Sequence, residues 1–167
     1  QGLGALYGET GQLVQAREVL LKAEHIRREL VESDPSGYNS RLATTLDSLA
    51  NLDLAEGNSK GAISKWEEAL SLLAFYDSNG GDDFTTIKGR YCFCIGMTYF
   101  NLKKNSKALK SFSKAESYFR TVFDRDSLPQ MFEDYYAMTL SYLGVLHETD
   151  KENEAENYFL ESLDVAL

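Results

Sequence analysis

The feature that most constrains this chain is self-similarity at a spacing near 46 residues. Leu3-Gly4-Ala5-Leu6-Tyr7 aligns with Leu49-Ala50-Asn51-Leu52-Asp53, with Ile95-Gly96-Met97-Thr98-Tyr99 and with Leu143-Gly144-Val145-Leu146-His147, at steps of 46, 46 and 48 residues. Ala16, Ala62, Ala108 and Ala155 make a second column at steps of 46, 46 and 47. Leu20, Trp66, Phe112 and Phe159 make a third, and Ala23, Ala69, Ala115 and Ser162 a fourth. Units that recur at such a period are single supersecondary elements. None can cover its own apolar face, so neighbours must stack to form a continuous core.

Within a unit the apolar spacing is helical: Leu46, Leu49, Ala50 and Leu54 recur at three and four, as do Ala62, Trp66, Ala69, Leu70 and Leu73. Short turn signals interrupt these runs at Glu9-Thr10-Gly11, Glu56-Gly57-Asn58-Ser59, Lys103-Lys104-Asn105-Ser106 and Thr149-Asp150-Lys151. Gly57 suits the left-handed conformation at a helix end, and Asn58 or Ser59 suits the cap of the next helix. Longer breaks fall at Ser33-Asp34-Pro35-Ser36, Ser78-Asn79-Gly80-Gly81-Asp82 and Asp124 to Pro129. The expected helices span 1–9 and 12–33, 37–56 and 59–77, 83–102 and 105–124, and 130–148 and 152–167. They group into units of about 1–36, 37–82, 83–129 and 130–167 within one domain. No segment alternates with period two long enough for a strand. The expected fold class is all-α: a right-handed superhelical α-solenoid of four stacked helix-turn-helix hairpins. Gly4, Ala50, Gly96 and Gly144 allow close helix approach, and the large third-column residues fill the space left.

These columns resemble the tetratricopeptide repeat, in which an apolar residue precedes Gly or Ala, Tyr follows three later, Gly sits near the turn, and Ala, a large apolar residue and Ala come after it. Leu3-Gly4-Tyr7-Gly11-Ala16-Leu20-Ala23 and Ile95-Gly96-Tyr99-Ala108-Phe112-Ala115 match best. Asp53 and His147 stand in the Tyr column, and Ser162 in the last Ala column. The family's usual unit is about 34 residues, so the longer period implies extended helices. It is similar to the long-repeat form common in bacterial signalling and scaffold proteins. The resemblance implies a non-enzymatic scaffold that binds a protein or peptide segment along the concave face lined by the first helices. Carried over column by column, that groove presents Ala5, Gly8 and Glu9 from unit one, and Asp47 and Asn51 with Thr44 and Leu54 from unit two. Unit three adds Arg90, Phe93, Met97, Phe100 and Asn101, and unit four adds Met138, Ser141 and Val145. The register assigns Cys92, Ile95, Gly96 and Tyr99 to the opposite, core side of their helix. The family's clamp for a C-terminal carboxylate is not expected, because Arg90 is the only cation among these positions and Asp47 and Glu9 repel an anion.

Charge narrows the partners. Asp and Glu number 26 against 17 Lys and Arg, a net charge of −9. This disfavours nucleic acid and anionic membrane surfaces, which select positive charge. No apolar run reaches the ~18–20 residues of a membrane span. Cys92 and Cys94, two apart on a helix, point away from each other and have no nearby His. They read as small packed residues of a reducing, cytoplasmic compartment. His25 and His147 lack metal-type partners, so no catalytic residue, metal or cofactor is expected. Lys103, Lys104, Lys107, Lys110 and Lys114 crowd one turn and the helix after it, against the helix dipole. They read as a solvated convex face, or as a docking patch for the acidic run Glu148, Asp150, Glu152, Glu154 and Glu156 of another copy.

The chain starts without Met, which reads as a cut edge of a longer protein. Its last helix carries Tyr158, Phe159, Leu163, Val165 and Leu167 with no polar cap after it. That leaves either further repeats or self-association as the cover for this end. A ligand-responsive sensory module of a signalling protein is the other reading of the whole chain.

Overall fold

The computed structural model of the chain describes residues 13–79, 83–124, 128–147 and 152–166. These form seven helices: α1 (Leu13–Ser33), α2 (Pro35–Ala55), α3 (Ser59–Asn79), α4 (Thr85–Asn101), α5 (Asn105–Phe123), α6 (Gln130–His147) and α7 (Glu152–Ala166). No strand occurs among the described residues. The fold is the all-α helical repeat read from the columns, with α2–α3, α4–α5 and α6–α7 as antiparallel hairpins. The helix expected at 1–9 lies outside the described residues. The chain divides into two compact units, Gln1–Asp83 and Phe84–Leu167, at the break between the second and third repeats.

In the first unit, the break expected at Ser33–Ser36 narrows to one residue. Asp34 caps α2, accepting from the Gly37 N–H at 3.0 Å and the Ser36 hydroxyl at 2.8 Å. Pro35 opens the helix instead of lying before it, because its fixed φ suits the first helical position and its missing N–H would have been unpaired there anyway. The α2–α3 turn follows the sequence reading: Gly57 takes φ 80° and Asn58 caps α3 by accepting from the Gly61 N–H at 3.0 Å. Ala16, Leu20, Leu46, Leu49, Ala50, Ala62, Trp66 and Ala69 are all fully or almost fully buried. The Trp66 indole N–H donates to Asp47 Oδ1 at 2.8 Å, so even the polar edge of this knob is satisfied inside the core.

Asp53, which departs from the Tyr column, is 2% exposed. It is held by Arg17 of α1 at 2.8 Å and by Lys65 of α3 at 2.6 Å, and Arg17 also grips Glu56 at 2.8 Å. Where a Tyr would fill space, this unit ties three helices with charge. Burial pushes the Asp53 carboxyl up, but the hydrogen bonds and charges of Lys65 and Arg17 outweigh it and hold the group below the usual carboxylate range.

In the second unit, a ring lies against a glycine at three places. A Cβ on Gly96 would sit 2.7 Å from the Phe112 ring, one on Gly89 2.8 Å from Phe119, and one on Gly144 2.8 Å from Phe159. Phe112 and Phe119 are fully buried. Phe159, which the columns assign to the same packing role, keeps its glycine but remains 37% exposed.

The α4–α5 turn repeats the α2–α3 turn with different residues. Gly57 N–H to Leu54 O and Asn58 N–H to Asp53 O become Lys103 N–H to Phe100 O and Lys104 N–H to Tyr99 O, 46 residues on, both at 2.9 Å. Lys103 therefore sits at φ 57°, and Lys104 occupies the cap position with no side-chain cap bond. A non-glycine residue in the left-handed region costs about 1–2 kcal/mol, and an unfilled cap about 1 kcal/mol.

A longer period also emerges. Arg28 bonds Glu24 one turn back at 2.7 Å and reaches Glu68 of α3. In the same way Arg120 bonds Glu116 one turn back and reaches Glu161 of α7 at 2.8 Å. The two clamps are 92 residues apart along α1 and α5, and each lies within one unit. The positions midway between them hold Leu70, Ala74 and Lys114, which cannot form it.

Two outcomes follow from this packing. Gly96→Ala lowers stability in urea by about 1–2 kcal/mol despite the better helix propensity of Ala, because the buried Phe112 ring has no free direction to yield. Phe112→Leu in that background recovers part of the loss. A carboxyl whose folded pKa is depressed adds stability above its unfolded value, near ~3.9, and loses it as pH falls through the folded value. Asp53→Asn is therefore less stable than the parent by about 1–3 kcal/mol at pH 7, with the gap closing below about pH 4. Urea titrations at pH 7 and pH 3 measure both.

Candidate protein-binding face

The residues expected to line a groove divide into those spent on the fold and those left at the surface. In the first unit, Asp47 is buried and accepts from Trp66, so it belongs to the core. Asn51 is exposed, but its amide N–H donates to Asp47 O at 2.9 Å.

In the second unit, Phe93 is 6% exposed and serves as an internal ring. It meets Phe112 at 5.8 Å, Tyr135 edge-on at 5.2 Å and Tyr142 at 6.3 Å. The expectation that it faces a groove gives way to burial because α4 has two covered sides. One side faces its hairpin partner α5; the other faces α6 of the next hairpin, which supplies Tyr135 and Tyr142. Arg90 lies over the Tyr91 ring at 4.9 Å. Ser141 also turns inward: its hydroxyl lies 2.8 Å from that of Ser162 and donates to Ala137 O, joining α6 to α7.

What remains outward is an apolar strip. Met138 and Val145 on α6 are 41% and 43% exposed and share a face at a spacing of seven residues. Met97 and Phe100 on α4 are half-buried. Phe100 leans edge-on against Tyr142 at 5.1 Å, and Tyr142 stacks on Phe112 at 5.2 Å and 7°. Tyr142 thus joins surface to core, a role not legible in the columns, because equivalent positions of first helices do not show which ring the next hairpin supplies. Phe100, Asn101 and Val145 line one open cleft of about 470 Å³ with Leu146, Lys103 and Asn105. The last three were absent from the expected set. Lys103 in particular stands at the rim of this cleft.

Burial pushes the Cys92 thiol up to about 11, against the smaller opposing effect of Lys114 and Lys88, so it stays protonated and unreactive at neutral pH. His147 stacks on Tyr158 at 5.7 Å, with Glu154 at 3.8 Å. No group of three or more His, Cys, Asp or Glu among the described residues is placed to hold a metal ion. No described helix is long and apolar enough to cross a membrane.

A family model described as Tetratricopeptide repeat matches residues 89–123, which contain most of α4 and all of α5. No curated protein matches the chain in sequence. Solved structures with the same fold include BtubC from P. vanneervenii, 18% identical with a TM-score of 0.64 over 92% of this chain and 56% of that one. A second is pilF of Pseudomonas aeruginosa, 21% identical with a TM-score of 0.59 over 98% of this chain and 58% of that one. A third is a putative kinesin light chain of Podosopora anserina with nearly identical TPR-like repeats, 13% identical with a TM-score of 0.68 over 98% and 72%. The chain spans little more than half the length of the first two.

The division into buried and surface rings has a direct consequence for stability. Phe93→Ala costs about 3–5 kcal/mol, whereas Met138→Ala and Val145→Ala each stay within about 1 kcal/mol. Urea midpoints of the three variants measure the contrast.

Proposed function

We propose that the chain, whose residues 89–123 match the tetratricopeptide repeat, a family whose members serve generally as protein-interaction scaffolds, binds a protein segment on the α4–α6 side of its second unit. The observation that carries this reading is the exposed strip of Met138 and Val145 beside Phe100 and Asn101, continuous with a cleft and backed by a rigid aromatic core. Flexible Met side chains adapt to an apolar partner surface, and Asn101 offers both a donor and an acceptor to a partner backbone. Preorganisation by the stacked rings lowers the ordering cost of binding. The role is non-enzymatic: the side chains gathered here offer surface and hydrogen bonds.

Quantitative capture from a cell lysate tests it, with the parent chain beside Met97→Ala/Met138→Ala/Val145→Ala at matched helicity and melting temperature. Partners held by this face fall by roughly tenfold in the variant, as for a few lost apolar contacts. Equal capture by both proteins overturns the assignment.

Self-association is a second reading, favoured by Phe159, Leu160 and Leu163 on α7, exposed by 37%, 55% and 62%. Concentration-dependent mass in sedimentation separates it from the first.

A further inference from the structure

The lysines of the α4–α5 turn remain unexplained by the fold. Lys103, Lys104 and Lys107 are exposed, and among the described residues none of them is in an ion pair. Five other cations, Arg17, Lys22, Arg28, Lys65 and Arg120, each hold a carboxylate. Lys107 instead lies over the Tyr99 ring at 5.4 Å. In a chain of net charge −9, three clustered cations left without acids form a distinct local field.

Their positions run against the needs of the turn. Lys103 takes the left-handed position that Gly57 fills in the preceding hairpin, and Lys104 takes the cap position that Asn58 fills there. Lys103 also forms one wall of the cleft with Phe100, Val145 and Leu146, while Lys103, Lys104 and Lys107 line an adjoining hollow of about 430 Å³. Apolar walls and a cationic rim thus meet at one place.

We propose that this turn is a docking site for an acidic protein segment. One apolar side chain of that segment enters the cleft while its flanking carboxylates meet Lys103, Lys104 and Lys107. This rests on the scaffold reading above and specifies the partner's chemistry. The local cations select acid, and the apolar walls of Phe100, Val145 and Leu146 favour a peptide over a sugar-phosphate backbone.

The test is fluorescence anisotropy of the 167-residue chain with three labelled peptides. They are EDELLEDE, its neutral counterpart QNQLLQNQ, and EDEGSEDE, which lacks the apolar pair. The first binds, weakening with added salt, and the other two bind at least roughly tenfold more weakly. The informative variant restores the preceding hairpin's turn residues, Lys103→Gly/Lys104→Asn. It melts roughly 3–6 °C higher yet binds EDELLEDE about tenfold more weakly. Higher stability with unchanged binding overturns the proposal, as does failure of EDELLEDE to bind the parent.

Equal binding of EDELLEDE and QNQLLQNQ, lost in Met97→Ala/Met138→Ala, leaves the scaffold reading standing and sinks the acidic specificity alone. Oligo-dT or phosphatidylserine vesicles bound as tightly through the same lysines reassign the patch to polyanions. A dimer that forms with concentration and is abolished by the turn variant reassigns it to a second copy. Either result overturns an acidic partner segment as the occupant.

Discussion

The second unit depends on large rings set directly against helical glycines. Phe112 over Gly96 and Phe119 over Gly89 bring α5 to a distance from α4 that no side chain on α4 would permit. Because both rings are fully buried, their planes are fixed, and whatever packs on them inherits that order. Tyr142 stacks on Phe112, Phe93 lies against both rings, and Phe100 leans on Tyr142. A partly exposed side chain at the cleft is thereby connected to the most constrained contact in the hairpin through two ring–ring contacts.

Charge does different work in the two units. In the first, a buried carboxylate replaces an aromatic, and Asp53 collects Arg17 and Lys65 from the helices on either side. Such a pairing adds little net stability over an apolar residue, but it penalises any register that leaves the carboxylate alone. The Glu24–Arg28–Glu68 and Glu116–Arg120–Glu161 clamps are half-exposed and individually weak. Their significance lies in their placement. Each joins alternate helices inside one unit, and the intermediate positions carry Leu70, Ala74 and Lys114. One clamp falls in each compact unit, on either side of the division at Asp83/Phe84.

Column spacing made the hairpins legible from sequence because small and large residues must recur wherever helices approach to the same distance. The Gly57 turn, the buried Ala16 and Ala62, and the Trp66 and Phe112 knobs all follow from that rule. In sequence Pro35 reads as a break, because Pro and Asp together mark helix ends as strongly as helix starts, and only the Asp34 cap geometry decides between them. The candidate site was less legible. Phe93 and Met97 look alike on a helical wheel, yet Phe93 is buried against rings of the next hairpin while Met97 stays half-buried. Ser141 looks like a groove residue until Ser162 is seen opposite it. A period shows which residues share a face. It does not show what the neighbouring repeat lays on that face, since those partners come from columns that vary.

In the docking role proposed for it, the turn at Lys103 separates folding from recognition. Backbone bonds from Lys103 to Phe100 O and from Lys104 to Tyr99 O fix this turn as firmly as the Gly57 turn is fixed, so side chains there start from defined positions beside the cleft. A longer, looser loop would carry the same cations with no strain, but it would have to be ordered on binding, at a cost for each side chain immobilised. Holding Lys103 in a left-handed conformation places that cost in folding, where the rings of the second unit meet it once. The unfavourable backbone geometry and the cation at the cleft rim are then two aspects of one arrangement, since this turn has no unstrained way to keep a lysine at that position.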